Sequence, residues 1–269
     1  MRLLTSESPA ADVRAGALGR ARAGLYYVVL LALLAPGIYE GVRQYRETQY
    51  MRAVALEATR ESAPGDARAL IVALRDYVRR QVRHEEHYIS RDDRPFLRAS
   101  AADTLRSGKG DCGEATRVFI NLAGAMGVRA QRLYLEGQQP HVVAEVRLGD
   151  TDVLVDSYDA PFVPELATLE QVLRRPEFDH YSSLNWRRLL LGLPSFKINL
   201  GPLAYLLENP HALTALLWFA LASVWASLRF VRLPGAHRLL RRKGEGLHHE
   251  HRVSRTLRPA VRSGQKAKD

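Results

Sequence analysis

Cysteine is nearly absent from this chain. Cys112 is the only one among 269 residues, which excludes an intrachain disulfide and any zinc site built on several cysteines. Phosphate-binding signatures are missing too. The stretch RSGKGDCGEATR, Arg106–Arg117, offers glycines and a lysine ahead of a helix. But Gly110 follows Lys109 where a Walker loop needs Ser or Thr, and no strand leads in. The βαβ frame of a dinucleotide site is lacking as well. His84-Glu85-Glu86-His87 does not have the H-E-x-x-H spacing that sets two ligands one helical turn apart. It is read as solvated surface, as are His248, His249 and His251. No metal and no cofactor are expected. Acidic residues are also in deficit, 29 Asp and Glu against 39 Lys and Arg, a formal net charge of +10.

That excess charge lies beside two apolar runs. Gly24–Val42, GLYYVVLLALLAPGIYEGV, follows Arg14, Arg20 and Arg22. Its uncharged part is near the lower limit for crossing a bilayer. A cleaved signal peptide competes, but no small-x-small site follows the apolar core, so an uncleaved anchor is expected. His211–Leu228, HALTALLWFALASVWASL, contains Trp218 and Trp225 and precedes Arg229 and Arg232. The competing reading is a buried helix of a soluble domain. Short basic flanks stay in the cytoplasm, whereas a long intervening domain translocates largely regardless of its charge. The expected order is a cytoplasmic tail (1–23), a transmembrane helix or signal anchor (24–42), a stalk (43–65), an extracytoplasmic domain (66–196), a linker (197–210), a transmembrane helix (211–231) and a basic, mostly disordered cytoplasmic tail (232–269). Attraction to anionic headgroups accounts for basic clusters such as His237–Lys243, so membrane lipid is an expected partner and nucleic acid is not.

Between the apolar runs the pattern is helix, helix, then strands. Pro64-Gly65 breaks the chain and Asp66 is a natural N-cap. Leu70, Ile71, Leu74, Tyr77, Val78 and Val82 recur at helical spacing, predicting an amphipathic helix over Ala67–His87. A polar loop with Pro95 follows. After Cys112, the residues Ala115, Phe119, Leu122, Ala123 and Met126 share a helical face, and Gly127 is a stop. Strands are expected over Val128–Leu135, His141–Leu148 and Val153–Tyr158, the last two joined through Gly149-Asp150-Thr151-Asp152 as a hairpin. Short helices and loops are expected from Pro161 to Trp186. The fold class is α+β.

Cys112 alone reads as a small buried hydrophobe. Its position changes that reading, because a Gly-rich loop enters a helix there and free N–H groups and the helix dipole favour a thiolate. Gly110 and Gly113 would let a carbonyl approach the sulfur, and the backbone N–H groups of Cys112 and Gly113 are the oxyanion donors. A thiol needs a base and the base an orienter. His141 opens one strand and Asp156 lies near the end of the next. A hairpin centred between Leu148 and Gly149 puts them directly across from each other on one face, whereas a one-residue slip separates them. Asp159 is the alternative orienter, Asp111 and Glu114 tune charge at the helix start, and Lys109 faces solvent.

The runs GDCGEATRVFINLAGAMGVRAQRLYL, HVVAEV and VLVDSYD, in that order over Ala101–Val163, resemble the transglutaminase-like superfamily and its papain-like core. Two departures stand out. No Trp follows the His closely and no aromatic precedes the Asp; Val143 and Val153–Val155 fill those places. The resemblance implies a Cys-bearing helix packed on an antiparallel sheet that bears His and Asp, here flanked by two transmembrane helices in a bacterial-type, membrane-anchored member. Cys112 would be the nucleophile, His141 the base and later acid, and Asp156 its orienter. The implied activity is attack on an amide bond through a Cys thioester at the cell envelope, on the periplasmic side. A peptidase or amidase comes first; a crosslinking acyltransferase and a non-catalytic scaffold are the alternatives. The substrate is then a peptide or protein, with envelope proteins as partners. A periplasmic reporter fused after Tyr45 should be active in cells; an inactive fusion would place the central domain in the cytoplasm.

Overall fold

The computed structural model describes residues 9–63, 65–84, 99–182 and 203–228. Helix α1 (Pro9–Ala58) passes through Pro36 without ending, and α7 (Pro210–Leu228) is the other long apolar helix. The segment Ala21–Ala58 and α7 are each long and apolar enough to cross a membrane. Leu25, Val28 and Leu31 on the first, and Leu221 and Val224 on the second, are more than half exposed, a pattern that lipid accommodates. Two compact units divide the chain. In the unit formed from Met1–Leu31 and Ala220–Asp269, the rings of Tyr26 and Trp225 stack at 6.0 Å and the Trp225 indole N–H donates to the Tyr26 carbonyl at 3.3 Å.

The other unit, Ala32–Phe219, contains an α+β domain. Four antiparallel strands, β1 (Ala130–Gly137), β2 (His141–Leu148), β3 (Thr151–Val155) and β4 (Phe178–Ser182), stand in the order β3-β2-β1-β4. On one face Ala144, Val146, Val153 and Val155 join a core with α2 (Ala67–Gln81), α3 (Ala101–Ser107) and α4 (Cys112–Ala125). Met51 and Ala55 of α1 belong to the same core. On the other face Leu133, Leu135, Val143 and Leu154 pack against Val163, Ala167, Val172 and Phe178, around α5 (Leu169–Leu173). Burial on both faces explains why the central strands read as nearly continuous apolar runs.

Asp66 caps α2 as expected, accepting the Ala69 N–H at 2.9 Å. The helix stops at Gln81 because the next residues turn extended: Arg83 donates to Gly108 O at 3.0 Å and accepts from Gly110 N at 3.2 Å. The expected end at His87 lies outside the described residues. The β2–β3 register is displaced from expectation. Leu148 pairs with Thr151 and Ala144 with Val155, around a two-residue turn in which Gly149 takes φ +59°, the positive value such turns demand. Continuing that register, Asp156 faces Val143 and not His141. The displacement is two residues, so both side chains keep a common face.

Strand β4 was not anticipated, since FDHYS shows no apolar alternation. It is an edge strand, buried only at Phe178 and Ser182, and charged edges are usual. Its approach to β1 depends on Gly137, whose φ is +151° and where a Cβ would lie 2.4 Å from the Glu177 carbonyl oxygen. Gly137→Ala should therefore lower unfolding free energy by about 1–3 kcal/mol in denaturant titration; an unchanged midpoint would mean that β4 tolerates displacement.

Candidate active site

The loop into α4 is built from caps. Ser100 opens α3, accepting from Asp103 N at 3.2 Å, and Gly108 closes it at φ +67°. Asp111 then caps α4: its carboxylate accepts the Glu114 N–H at 2.9 Å, and the Glu114 carboxylate accepts the Asp111 N–H at 3.3 Å. This reciprocal box satisfies two of the donors a helix start leaves open. Glu114 is fully buried by it. A Cβ on Gly110 would lie 3.1 Å from Glu114 and 3.2 Å from Val82, so this glycine makes room for the capping carboxylate and Val82. The expectation that Gly110 clears space for substrate is corrected accordingly. Among the described residues no hydrogen bond engages the N–H of Cys112 or Gly113. Both belong to the first turn, where a helix offers its N–H groups no partner of its own; the thiol is half-buried and Gly113 is buried. Lys109 is exposed, as expected.

His141 and Asp156 meet despite the shifted register. His141 Nε2 lies 2.9 Å from Asp156 Oδ2, and both residues are buried. Diagonal positions on one face of an antiparallel pair are within reach of such side chains. The Cys112 side chain also acts on the His141 ring, raising its affinity for a proton. Asp156 is held on several sides. Its carboxylate accepts backbone N–H groups from Tyr158 (3.1 Å), Phe162 (2.8 Å) and Val163 (3.1 Å). Its carbonyl accepts from Arg79 Nε at 3.1 Å and Nη2 at 2.6 Å. Asp159, the alternative orienter, instead accepts the His84 backbone N–H at 2.9 Å. The His141 ring meets Phe162 at 4.8 Å and Tyr158 at 5.8 Å between centroids, both edge to face.

Burial alone would lower the His141 pKa, but hydrogen bonds with Asp156 and Cys112 outweigh it and push the value up to about 9. Burial would raise the Asp156 carboxyl; the His141 hydrogen bond and charge, with the backbone donors, overcome that and hold it below its ordinary range. Burial, helped by Asp159, lifts the Tyr158 phenol to about 12, so the ring stays neutral beside the imidazole. The result is a half-buried thiol, a histidine inclined to hold a proton, and a fixed carboxylate behind it.

Residues 52–157 match the family model of the transglutaminase-like superfamily. Cys112, His141 and Asp156 all fall inside that match. This segment is transglutaminase-like. Among solved structures the chain is similar to a candidate cysteine protease from Cytophaga hutchinsonii, with 17% identity and a TM-score of 0.36 over 45% of this chain and 41% of that one. The chain thus spans less than half of that protein's length. No curated protein matches.

Sequence reasoning missed several residues around the transglutaminase-like site. Tyr158 and Phe162 supply aromatic surroundings from after Asp156, on the loop whose N–H groups grip its carboxylate. Their nearness to Asp156 in the chain was the available signal. Arg79 had none, because its link to Asp156 is purely tertiary. Of the His84–His87 cluster only His84 is described, with its ring edge-on to Tyr158 at 5.3 Å. One group among the described residues, Glu47, Asp103 and His211, offers ligand atoms mutually within 4.8 Å. Each already has a polar partner: Ser100 for Glu47 at 2.6 Å, Arg106 for Asp103 at 3.0 Å, and Glu40 for His211 at 2.5 Å.

Because the folded His141 value, about 9, exceeds the ordinary 6.5, its proton favours the folded state. That contribution is complete below about pH 6.5 and is lost as pH rises through about 9. Asp156→Asn should drop the imidazole pKa well below 9, read by NMR titration, and flatten stability across this window. An imidazole titration unmoved by Asp156→Asn would show that the contact is not what raises it.

Proposed function

We propose that the protein is a cysteine-dependent enzyme that cleaves amide bonds, with Cys112 as nucleophile, His141 as base and acid, and Asp156 as orienter. The observation that carries this is one buried imidazole held by the Asp156 carboxylate at 2.9 Å, with the Cys112 side chain acting on it as well. The Cys112 sulfur, its proton passed to His141, bonds the substrate carbonyl carbon. The N–H groups of Cys112 and Gly113 receive the oxygen as it gains charge. His141 returns the proton to the departing amine, leaving a thioester. Water, deprotonated by His141, then displaces the sulfur to give the carboxylic acid. The match of the segment to the superfamily model supports the thiol chemistry; we propose hydrolysis over transfer to an amine.

Phe162, 41% exposed, and Tyr158 put apolar surface beside the reacting groups, which suits a peptide or protein acyl group better than a small polar amide. We place the domain, 66–196, outside the cytoplasmic membrane between crossing helices at 24–42 and 211–231. Peptides and proteins of the envelope are then its substrates and partners.

A thiol-directed amide mimic should label the full-length chain at Cys112 and fail on Cys112→Ala. His141→Ala should slow labelling about a hundredfold or more; labelling undiminished in that variant would sink the triad assignment. Amide turnover should fall above about pH 9, where His141 no longer carries the proton needed by the leaving amine. A pH–rate profile still rising past that point would assign the proton to another group.

A further inference from the structure

Glu208 ends α6 (Leu203–Glu208), two residues ahead of Pro210, where the second apolar helix begins. It is only 5% exposed. Its carboxylate forks the Arg132 guanidinium of β1, Oε1 against Nε and Oε2 against Nη2, each at 2.7 Å. Arg117 of α4, itself fully buried, brings Nε within 3.6 Å of the same carboxylate. Asn121, also on α4, donates to the Glu208 carbonyl at 3.3 Å. Two consecutive elements, α4 and β1, are thus tied through one carboxylate to a helix far along the chain.

The Arg132 guanidinium has a second engagement. Its Nη2 donates to the Gly113 carbonyl at 2.8 Å. A guanidinium is planar, so a carboxylate that grips its Nε–Nη2 edge also fixes where the remaining Nη2 hydrogen points. Here it points at the first turn of α4, at a glycine with no side chain to hold its own peptide in place.

We propose that Glu208 is a positioning residue for the Cys112 site: through Arg132 it sets the first turn of α4, and with it the N–H groups of Cys112 and Gly113 that receive the oxyanion. This rests on the thiol-enzyme reading above and extends it. The chemistry becomes dependent on the seating of a short helix that runs directly into an apolar, membrane-competent one. A shift of that segment would loosen the fork and displace the oxyanion donors while Cys112 and His141 stay in contact.

Two small reagents separate these effects in the full-length chain in detergent. Iodoacetamide alkylates the sulfur and needs only a thiolate. With 4-nitrophenyl acetate the sulfur bonds the acetyl carbon and 4-nitrophenolate leaves, through an oxyanion that uses the N–H groups; Cys112→Ala supplies the background. Glu208→Gln should slow acylation by Cys112 on the order of tenfold to a hundredfold while alkylation stays within about twofold. Replacing both members of the fork, Glu208→Leu with Arg132→Met, leaves neither half of it buried alone and keeps Arg117, which also donates to Ala99 O at 3.0 Å, yet acylation should stay slow because Gly113 O still lacks the Arg132 donor. Unchanged acylation in Glu208→Gln, equal losses on both reagents, or full recovery in the double variant would overturn the proposal. His141→Ala is the separate control: alkylation undiminished there refutes the Cys112–His141 reading, whatever Glu208 does.

Discussion

The Asp156 carboxylate is the constraint on which the site depends. A buried charge is costly unless its hydrogen-bonding capacity is filled, and here the His141 ring and three backbone N–H groups fill it. The three N–H groups force the chain after β3 to curl back over the carboxylate. That curl carries Tyr158 and Phe162 against the imidazole. Arg79 then anchors the Asp156 carbonyl to α2, joining the helical layer to the end of the sheet. The imidazole takes its orientation from this side chain, and its affinity for a proton from this side chain and Cys112 together.

Cys112 is placed by a different device. The capping box of Asp111 and Glu114 consumes the Glu114 N–H, and among the described residues nothing takes up those of Cys112 and Gly113. With the Glu114 carboxylate buried at the same point, a Cβ on Gly110 would lie only 3.1 Å from it, tighter than ordinary packing. The Gly-rich loop therefore serves the helix start before it serves any substrate. Arg132 and Glu208 add a third hold on the same turn from the opposite side of the chain's order.

Much of this was legible from residues alone. Helix α2, its cap at Asp66, the apolar face of α4 and the strand His141–Leu148 follow from local periodicity and capping chemistry, which act over a few residues. The pairing of His141 with Asp156 was legible for a weaker reason. Strand side chains alternate with period two, so the expected hairpin and the observed one, two residues apart, put the same pair on the same face. Their contact is diagonal where a direct one was expected. Strand β4 escaped because an edge strand needs no alternating pattern, and its pairing rests on the backbone of Gly137 more than on any side chain.

By itself, the sequence determined the α+β class, the two apolar runs, a lone thiol at a helix start, and a histidine and an aspartate on neighbouring strands. These depend on local spacing, and local spacing survives without a fold. Only the tertiary structure decided which groups surround them: Arg79 behind Asp156, the aromatic rings beside His141, and Glu208 and Arg132 beneath the first turn of the Cys112 helix. Those contacts join residues tens of positions apart. Their strength comes from burial, which concentrates electrostatics and demands full pairing, and burial is a property of the packed chain that no short window of residues contains.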